Sequence, residues 1–184
     1  MSKLPPITLV LGGARSGKSA HAEKLIEAHV AETGAKGASY KGAQYIATAE
    51  VFDDEMRARV EAHKNRRGPL WTTTEAPIHL APALVRASNS DQPVLVDCLT
   101  VWLGNLMHHE HDVEEESFRL IDALGGLESP VIFVASEVGL GLVPETPLGR
   151  QFRDAQGWLN QLIAAEADQV FFVAAGLPLA LKSR

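Results

Sequence analysis

Eight consecutive residues, Gly12-Gly13-Ala14-Arg15-Ser16-Gly17-Lys18-Ser19, fit the pattern G-x-x-x-x-G-K-[ST] in full. Such a loop binds phosphate. Its N–H groups turn inward around an anion, and its glycines permit the backbone angles and the close approach. Lys18 supplies a point charge for the outer phosphates, and the Ser19 hydroxyl can ligate Mg²⁺. A helix starting near Gly17 aims its positive end at the same place. The plain alternative is a chance glycine-rich turn between strand and helix. The apolar run Ile7-Thr8-Leu9-Val10-Leu11 before the loop and the amphipathic segment after it supply the context that the phosphate-binding reading requires. The loop marks a nucleoside triphosphate site without naming what accepts the phosphate.

A phosphate loop needs an acid at the carboxyl end of another strand to hold or orient the metal. Asp97, ending Val94-Leu95-Val96, is the best placed, which makes Ser19 and Asp97 the expected metal-side residues. Glu137, after Val131 to Ser136, is the second candidate. Each carboxylate also fits a plainer role, capping a following helix or facing solvent. Cys98, beside Asp97, reads as a small apolar packing residue.

A third feature is a histidine. Asp53-Asp54-Glu55 opens a predicted helix in which Phe52, Met56, Val60 and His63 fall at steps of four, four and three. His63 therefore lies on the inward stripe, and Lys64, Asn65, Arg66 and Arg67 follow directly. An imidazole among cations can hold a triphosphate in line for attack by a ring nitrogen at the α-phosphorus, expelling pyrophosphate. The cations would also keep that imidazole neutral. Spacing alone favours the plainer reading, a helix that ends in basic residues because its C-terminal dipole favours them, with His63 a satisfied core residue. His108, His109 and His111 form an exposed cluster that reads as surface before it reads as a metal site.

These residues need strands that end, and helices that begin, along one edge of a sheet. Apolar runs at 7–11, 44–48, 70–73, 93–97, 131–135 and 169–174 alternate with helical segments. Runs without polar alternation indicate strands covered on both faces, as in a mostly parallel sheet. Residues 17–32 carry Ala22, Leu25, Ile26 and His29 on one face, and residues 147–167 carry Leu148, Phe152, Ala155, Leu159 and Leu162. The pattern predicts an α/β fold, a mostly parallel sheet flanked by helices, in a single domain over residues 1–184. Residues 33–42 read as a flexible loop and residues 108–116 as an exposed acid-rich stretch.

Composition narrows the function. With 46% hydrophobic and 22% charged residues the chain is globular in kind. Seventeen Lys and Arg against 23 Asp and Glu give a net charge of −6, a poor balance for gripping a nucleic-acid backbone. The lone Cys98 excludes an intramolecular disulfide and a multi-cysteine metal site. The apolar run after Pro6 is too short for a signal-peptide core, and no run approaches the roughly 20 residues of a membrane span. A soluble, cytoplasmic protein is expected.

Residues 12–19, Tyr45-Ile46-Ala47-Thr48-Ala49, and Asp53-Asp54-Glu55-Met56 running to His63-Lys64 together resemble the bifunctional adenosylcobinamide kinase/adenosylcobinamide-phosphate guanylyltransferase family of cobalamin biosynthesis. The similarity continues through Asp97-Cys98-Leu99-Thr100, Ser136 to Glu145 and Phe152-Arg153-Asp154. The Glu137-Val138-Gly139 to Val143-Pro144-Glu145 segment and the acid-to-His-Lys helix are far more specific than the phosphate loop.

The resemblance implies a single P-loop NTPase domain of the RecA-like kind and two reactions. ATP or GTP phosphorylates the corrinoid adenosylcobinamide; GTP then guanylylates a histidine, by position His63, and GMP passes to adenosylcobinamide phosphate. It implies that the nucleotide is held by residues 12–19, by Ala47-Thr48-Ala49, by Lys64 to Arg67, and by Glu75 and Asp97. It also implies a homo-oligomer, commonly a trimer. The chain departs from the family pattern at Ala62, where a second histidine is common, in its basic turn, which lacks a glycine, and at Asp97, where Glu is common. The rival readings are a single-function small-molecule P-loop kinase, with ADP and no pyrophosphate as its product, and a P-loop ATPase or nucleotide-sensing module stimulated by a partner.

Overall fold

Continuous Val, Leu, Ile and Phe runs become strands covered on both faces. The computed structural model describes residues 4–35, 42–50 and 68–183. Its strands are β1 (Ile7–Gly12), β2 (Ala43–Ala47), β3 (Trp71–Glu75), β4 (Val94–Asp97), β5 (Val131–Ser136), β6 (Gln169–Ala174) and β7 (Leu177–Ser183). Among the described residues the helices are α1 (Lys18–Ala35), α2 (Leu80–Ser88), α3 (Leu99–His108), α4 (Val113–Leu124) and α5 (Pro147–Glu166). The sheet order is β3-β2-β4-β5-β1-β6-β7. Every neighbouring pair is parallel except β6 and β7, which form an antiparallel hairpin.

Side-chain alternation divides the core between the two faces. Leu9, Leu11, Val94, Val96, Val131 and Phe133 point to the layer of α2 to α5, where Trp102, Leu106, Leu120, Leu159 and Ile163 meet them. Val10, Tyr45, Leu95, Ile132 and Val134 point the other way, against Ala22, Ile26 and Val30 of α1. Gly12, Asp97 and Glu75 continue this second parity at the carboxyl ends of their strands. The helix that follows the phosphate loop and the acids at the strand ends therefore share one face.

The six predicted strands are all present, with ends within two residues of expectation. β7 is an addition. The first residues of the predicted loop at 33–42 are helix instead: α1 runs to Ala35, and the Thr33 hydroxyl donates to the carbonyls of His29 (2.8 Å) and Val30 (3.1 Å) within it, while residues 36–41 lie outside the described ones. The acid-rich stretch at 108–116 is exposed over most of its length, as expected, and its last four residues open a helix: Asp112 caps α4 by accepting from the Glu115 N–H at 3.0 Å, and the three glutamates occupy its first turn. Leu148, predicted inward on α5, is 61% exposed, while Gln156 and Asn160 are buried. The predicted helix from Asp53 to His63 lies outside the described residues.

Candidate active site

β1 ends at Gly12 and α1 begins at Lys18, so the loop between them makes a tight turn at the carboxyl edge of the sheet. A Cβ added at Gly12 would lie 2.5 Å from the Ser16 hydroxyl oxygen and 2.5 Å from the Val173 carbonyl; only glycine fits. Gly17 has φ +95° and would place a Cβ 3.2 Å from the Gly176 Cα. Arg15 also takes a positive φ, 55°. The β6–β7 turn braces the loop from behind, the Gly176 N–H donating to the Ser16 carbonyl at 2.8 Å. From the other side the Glu137 N–H donates to the Gly12 carbonyl at 3.1 Å. Lys18 Nζ donates to the Gly13 carbonyl at 3.0 Å, which folds the side chain back over the loop. Ala14 and Arg15 are exposed, Gly13, Ser16 and Ser19 half-buried, and the Ser16 hydroxyl is buried with no hydrogen-bond partner among the described residues.

Asp97 lies two strands from Gly12, with β5 between, and its register partner Val134 sits two residues short of Gly12's partner Ser136. At about 4.8 Å per strand spacing the carboxylate is set back roughly 10 Å across the sheet from the loop. Glu75, Ala47 and Asp97 are register neighbours across β3, β2 and β4, a row at one sheet edge. Glu75 is exposed and Asp97 half-buried. The Tyr45 hydroxyl donates to Asp97 Oδ2 at 2.8 Å and fixes one carboxylate oxygen.

The residues after β2 behave differently from one another. Ala49 is half-buried, but Thr48 is fully buried. Thr48 Oγ1 donates to the Cys98 carbonyl at 2.8 Å and accepts from the Cys98 N–H at 2.9 Å. The Asp97–Cys98 peptide is cis. Burial, and next the Asp97 charge, push the Cys98 thiol up to about 12, which favours the neutral thiol of this half-buried residue.

A hydroxyl and a carboxylate are hard oxygen donors and suit Mg²⁺, which takes one or two protein ligands and completes its shell with phosphate and water. Among the described residues no group of three or more His, Cys, Asp or Glu is arranged to hold a metal by itself. His108 and His109 pack edge to face at 5.0 Å, and His109 Nε2 bonds Glu50 Oε2 at 2.8 Å.

Comparison with known proteins decides among the readings a phosphate loop leaves open. The sequence model for "Cobinamide kinase / cobinamide phosphate guanyltransferase" matches residues 8–181. The chain belongs to this family. It is 43% identical over 176 residues to the bifunctional adenosylcobalamin biosynthesis protein CobP of Pseudomonas aeruginosa, covering 95% of this chain and 96% of that one. Identity to the bifunctional adenosylcobalamin biosynthesis proteins CobU is 36% for Salmonella typhimurium and 38% for Escherichia coli, each covering 95% of this chain and 98% of the relative. Among solved structures, the flagellar accessory protein FlaH of Methanocaldococcus jannaschii shares the fold alone, with a TM-score of 0.56 at 11% identity over 98% of this chain and 80% of that one. The α/β, RecA-like class expected from the sequence is the observed one.

Within this cobinamide kinase / guanyltransferase chain, residues 12–19 and the Glu75–Ala47–Asp97 row share one sheet edge. His63, Lys64, Asn65, Arg66 and Arg67 lie outside the described residues. Tyr45 and Gly176 are contributors that sequence reasoning did not assign a role; each acts through a contact far away in sequence, which spacing does not encode.

Proposed function

We infer that the chain is a bifunctional enzyme of cobalamin biosynthesis, an adenosylcobinamide kinase and adenosylcobinamide-phosphate guanylyltransferase. The observation that carries this reading is a complete phosphate loop facing an acidic row on one sheet edge, in a chain matched to the family over residues 8–181. In the kinase step the corrinoid's aminopropanol hydroxyl attacks the γ-phosphorus of ATP or GTP, and the nucleoside diphosphate leaves. The loop amides and Lys18 offset the charge on the transferred group. Ser19 and Asp97 would hold Mg²⁺, which would neutralise phosphate charge there. Gly12 to Ser19, Ala47 and Ala49, and the Glu75 and Asp97 carboxylates line the nucleotide site. Lys64 to Arg67 complete it.

In the second reaction a ring nitrogen of His63 attacks the α-phosphorus of GTP. The N–P bond forms, the bond to the bridging oxygen breaks, and pyrophosphate leaves. A phosphate oxygen of adenosylcobinamide phosphate then attacks the same phosphorus, the P–N bond breaks, and adenosylcobinamide-GDP departs with the imidazole restored. One domain over residues 1–184 does both in the cytoplasm, without nucleic acid. It works as a homo-oligomer, a trimer by family resemblance. The exposed row of Leu177, Leu179 and Leu181 on the edge strand β7 supports an oligomer. Among the described residues no helix is long and apolar enough to cross a membrane.

Incubation with α-labelled GTP tests the reading. Label stable to base and released by acid, lost in His63→Ala or His63→Asn while ADP formation persists, is the expected result. ADP formation with neither label nor pyrophosphate would leave only a kinase.

A further inference from the structure

We propose that Thr48 is a positioning residue for Asp97, acting through the Asp97–Cys98 backbone, and that its side chain makes no contact with the nucleotide. The inference rests on the reading of Asp97 as the acid that serves the metal-bearing nucleotide.

Two groups of Thr48 make three bonds inside the protein. Its N–H donates to the Asp97 carbonyl at 3.3 Å, its hydroxyl donates to the Cys98 carbonyl at 2.8 Å, and the same oxygen accepts from the Cys98 N–H at 2.9 Å. One threonine thereby holds the chain on both sides of the Cys98 α-carbon, directly after Asp97 ends β4. The Thr48 carbonyl is taken as well: Asn105 Nδ2 donates to it at 2.7 Å and to the Pro77 carbonyl at 3.0 Å. Asn105, itself only 4% exposed, ties α3 to the ends of β2 and β3. At 0% exposure, the Thr48 side chain offers a ligand no surface. The flanking Ala47 and Ala49 are the half-exposed positions of the segment.

The chemical consequence is a carboxylate fixed from two directions. Tyr45 takes Asp97 Oδ2 from within β2, and Thr48 sets the backbone from which the carboxylate projects. A buried hydroxyl that both donates and accepts cannot be replaced by a methyl without leaving the Cys98 N–H unpaired and the Cys98 carbonyl with the Trp102 N–H alone, at 3.1 Å. Misplacing a metal-side carboxylate by a fraction of an ångström should weaken the metal-dependent part of nucleotide binding and leave the metal-independent part unaffected.

The experiment measures the affinity of the full chain for fluorescent N-methylanthraniloyl-GTP in excess Mg²⁺ and again in EDTA. The ratio of the two affinities is compared among wild type, Thr48→Val, Thr48→Ser and Asp97→Asn, with circular dichroism confirming that each is folded. Thr48→Val is expected to cut the Mg²⁺ enhancement by roughly ten-fold, the equivalent of one net hydrogen bond, at unchanged affinity in EDTA. Thr48→Ser, which keeps the hydroxyl, should restore it. If the valine variant does not fold, Thr48→Ala is read in its place. Equal losses in Mg²⁺ and EDTA, or an enhancement unchanged in Thr48→Val while Asp97→Asn abolishes it, overturn the role assigned to Thr48. An enhancement untouched by Asp97→Asn overturns the reading of Asp97 itself, and this inference with it.

Discussion

The N–H of Gly176 donates to the carbonyl of Ser16 across 2.8 Å, joining the turn of the C-terminal hairpin to the middle of the phosphate loop. The two segments are 160 positions apart in sequence, yet β6 lies directly beside β1, so the turn after β6 arrives behind the loop after β1. The loop's inward-facing amides are therefore held by a frame and not by glycine content alone. Ala175 and Gly176 both adopt positive φ, 51° and 79°, to make that approach.

Two glycine substitutions separate steric from conformational cost. Gly12→Ala sets a methyl against the Val173 carbonyl, a backbone atom of a central strand with little freedom to move. It should lower affinity for nucleotide at least ten-fold and destabilise by about 2 kcal/mol. Gly176→Ala meets no atom within 4 Å and bears only the left-handed backbone cost, about 1 kcal/mol. Urea denaturation and nucleotide titration of both variants give the comparison; a Gly12→Ala protein that binds normally would refute the close-approach account.

Tyr45→Phe removes the hydrogen bond to Asp97 Oδ2 and leaves the edge-to-face contact with Trp71, 5.9 Å between centroids, in place. A bond to a carboxylate is worth about 1.5–3 kcal/mol when buried, and this one is half-buried, so about 1 kcal/mol of stability is expected to go. Turnover should fall several-fold as the carboxylate gains rotational freedom. Steady-state kinetics beside thermal melts check both numbers.

The phosphate loop and six strands are legible in the sequence because their signals are local: a complete motif, and runs covered on both faces. β7 is not, since Leu177-Pro178-Leu179-Ala180-Leu181 stands exposed at an edge and resembles no buried strand. α3 escapes a periodicity test because Leu99, Trp102, Leu103 and Leu106 are all buried and leave little polar face to set a phase. On α5 the inward stripe is mis-phased by two buried amides. Gln156 Nε2 donates to Asn160 Oδ1 at 2.8 Å and Asn160 Nδ2 to the Ser136 carbonyl at 3.3 Å, so polar residues take positions an apolarity count assigns to Leu148. Thr48 reads as a ligand in a motif, and the bonds that consume its hydroxyl are invisible there, because the Cys98 peptide is 50 residues away.

Cys98 should resist alkylation in the native protein. With its thiol pushed up to about 12, only roughly one molecule in ten thousand carries a thiolate at pH 8. Iodoacetamide at that pH should label the urea-unfolded chain fully and the folded chain hardly at all. The sign of the linkage also follows. As pH rises past the ordinary thiol value of 9.0, the unfolded chain ionises where the folded one does not, so Cys98's contribution to stability declines in alkali. Cys98→Ala should flatten that decline.

His21 predicts the opposite end of the pH scale. Burial first, and Lys24 second, hold its imidazole below the ordinary 6.5, and its Nε2 is buried without a partner among the described residues while the ring packs edge to face on Phe171 at 5.0 Å. Below pH 6.5 the unfolded chain takes up a proton that the folded chain resists, so stability falls as the solution is acidified. His21→Phe keeps an aromatic ring against Phe171 and cannot be protonated. Its urea midpoint should fall less than wild type's between pH 7 and pH 5; an identical fall would assign the acid sensitivity to other groups.

Lys18→Ala asks whether one loop serves both reactions. Lys18 Nζ rests on the Gly13 carbonyl at 3.0 Å, so the ammonium lies over the cradle, within reach of phosphate oxygens. Removing it deletes the charge that lies over the cradle and leaves the amides in place. The described residues hold a single phosphate loop, and the acidic row beside it occupies the same sheet edge. Both transfers are therefore expected to draw on Lys18. Release of ADP in the kinase assay and release of pyrophosphate in the GTP assay, measured separately, should each fall by about 10²–10³, the usual loss for one electrostatic group aimed at a transferring phosphoryl. A kinase reaction that collapses while pyrophosphate release survives would mean that GTP reaches His63 through a different set of contacts, made outside the loop.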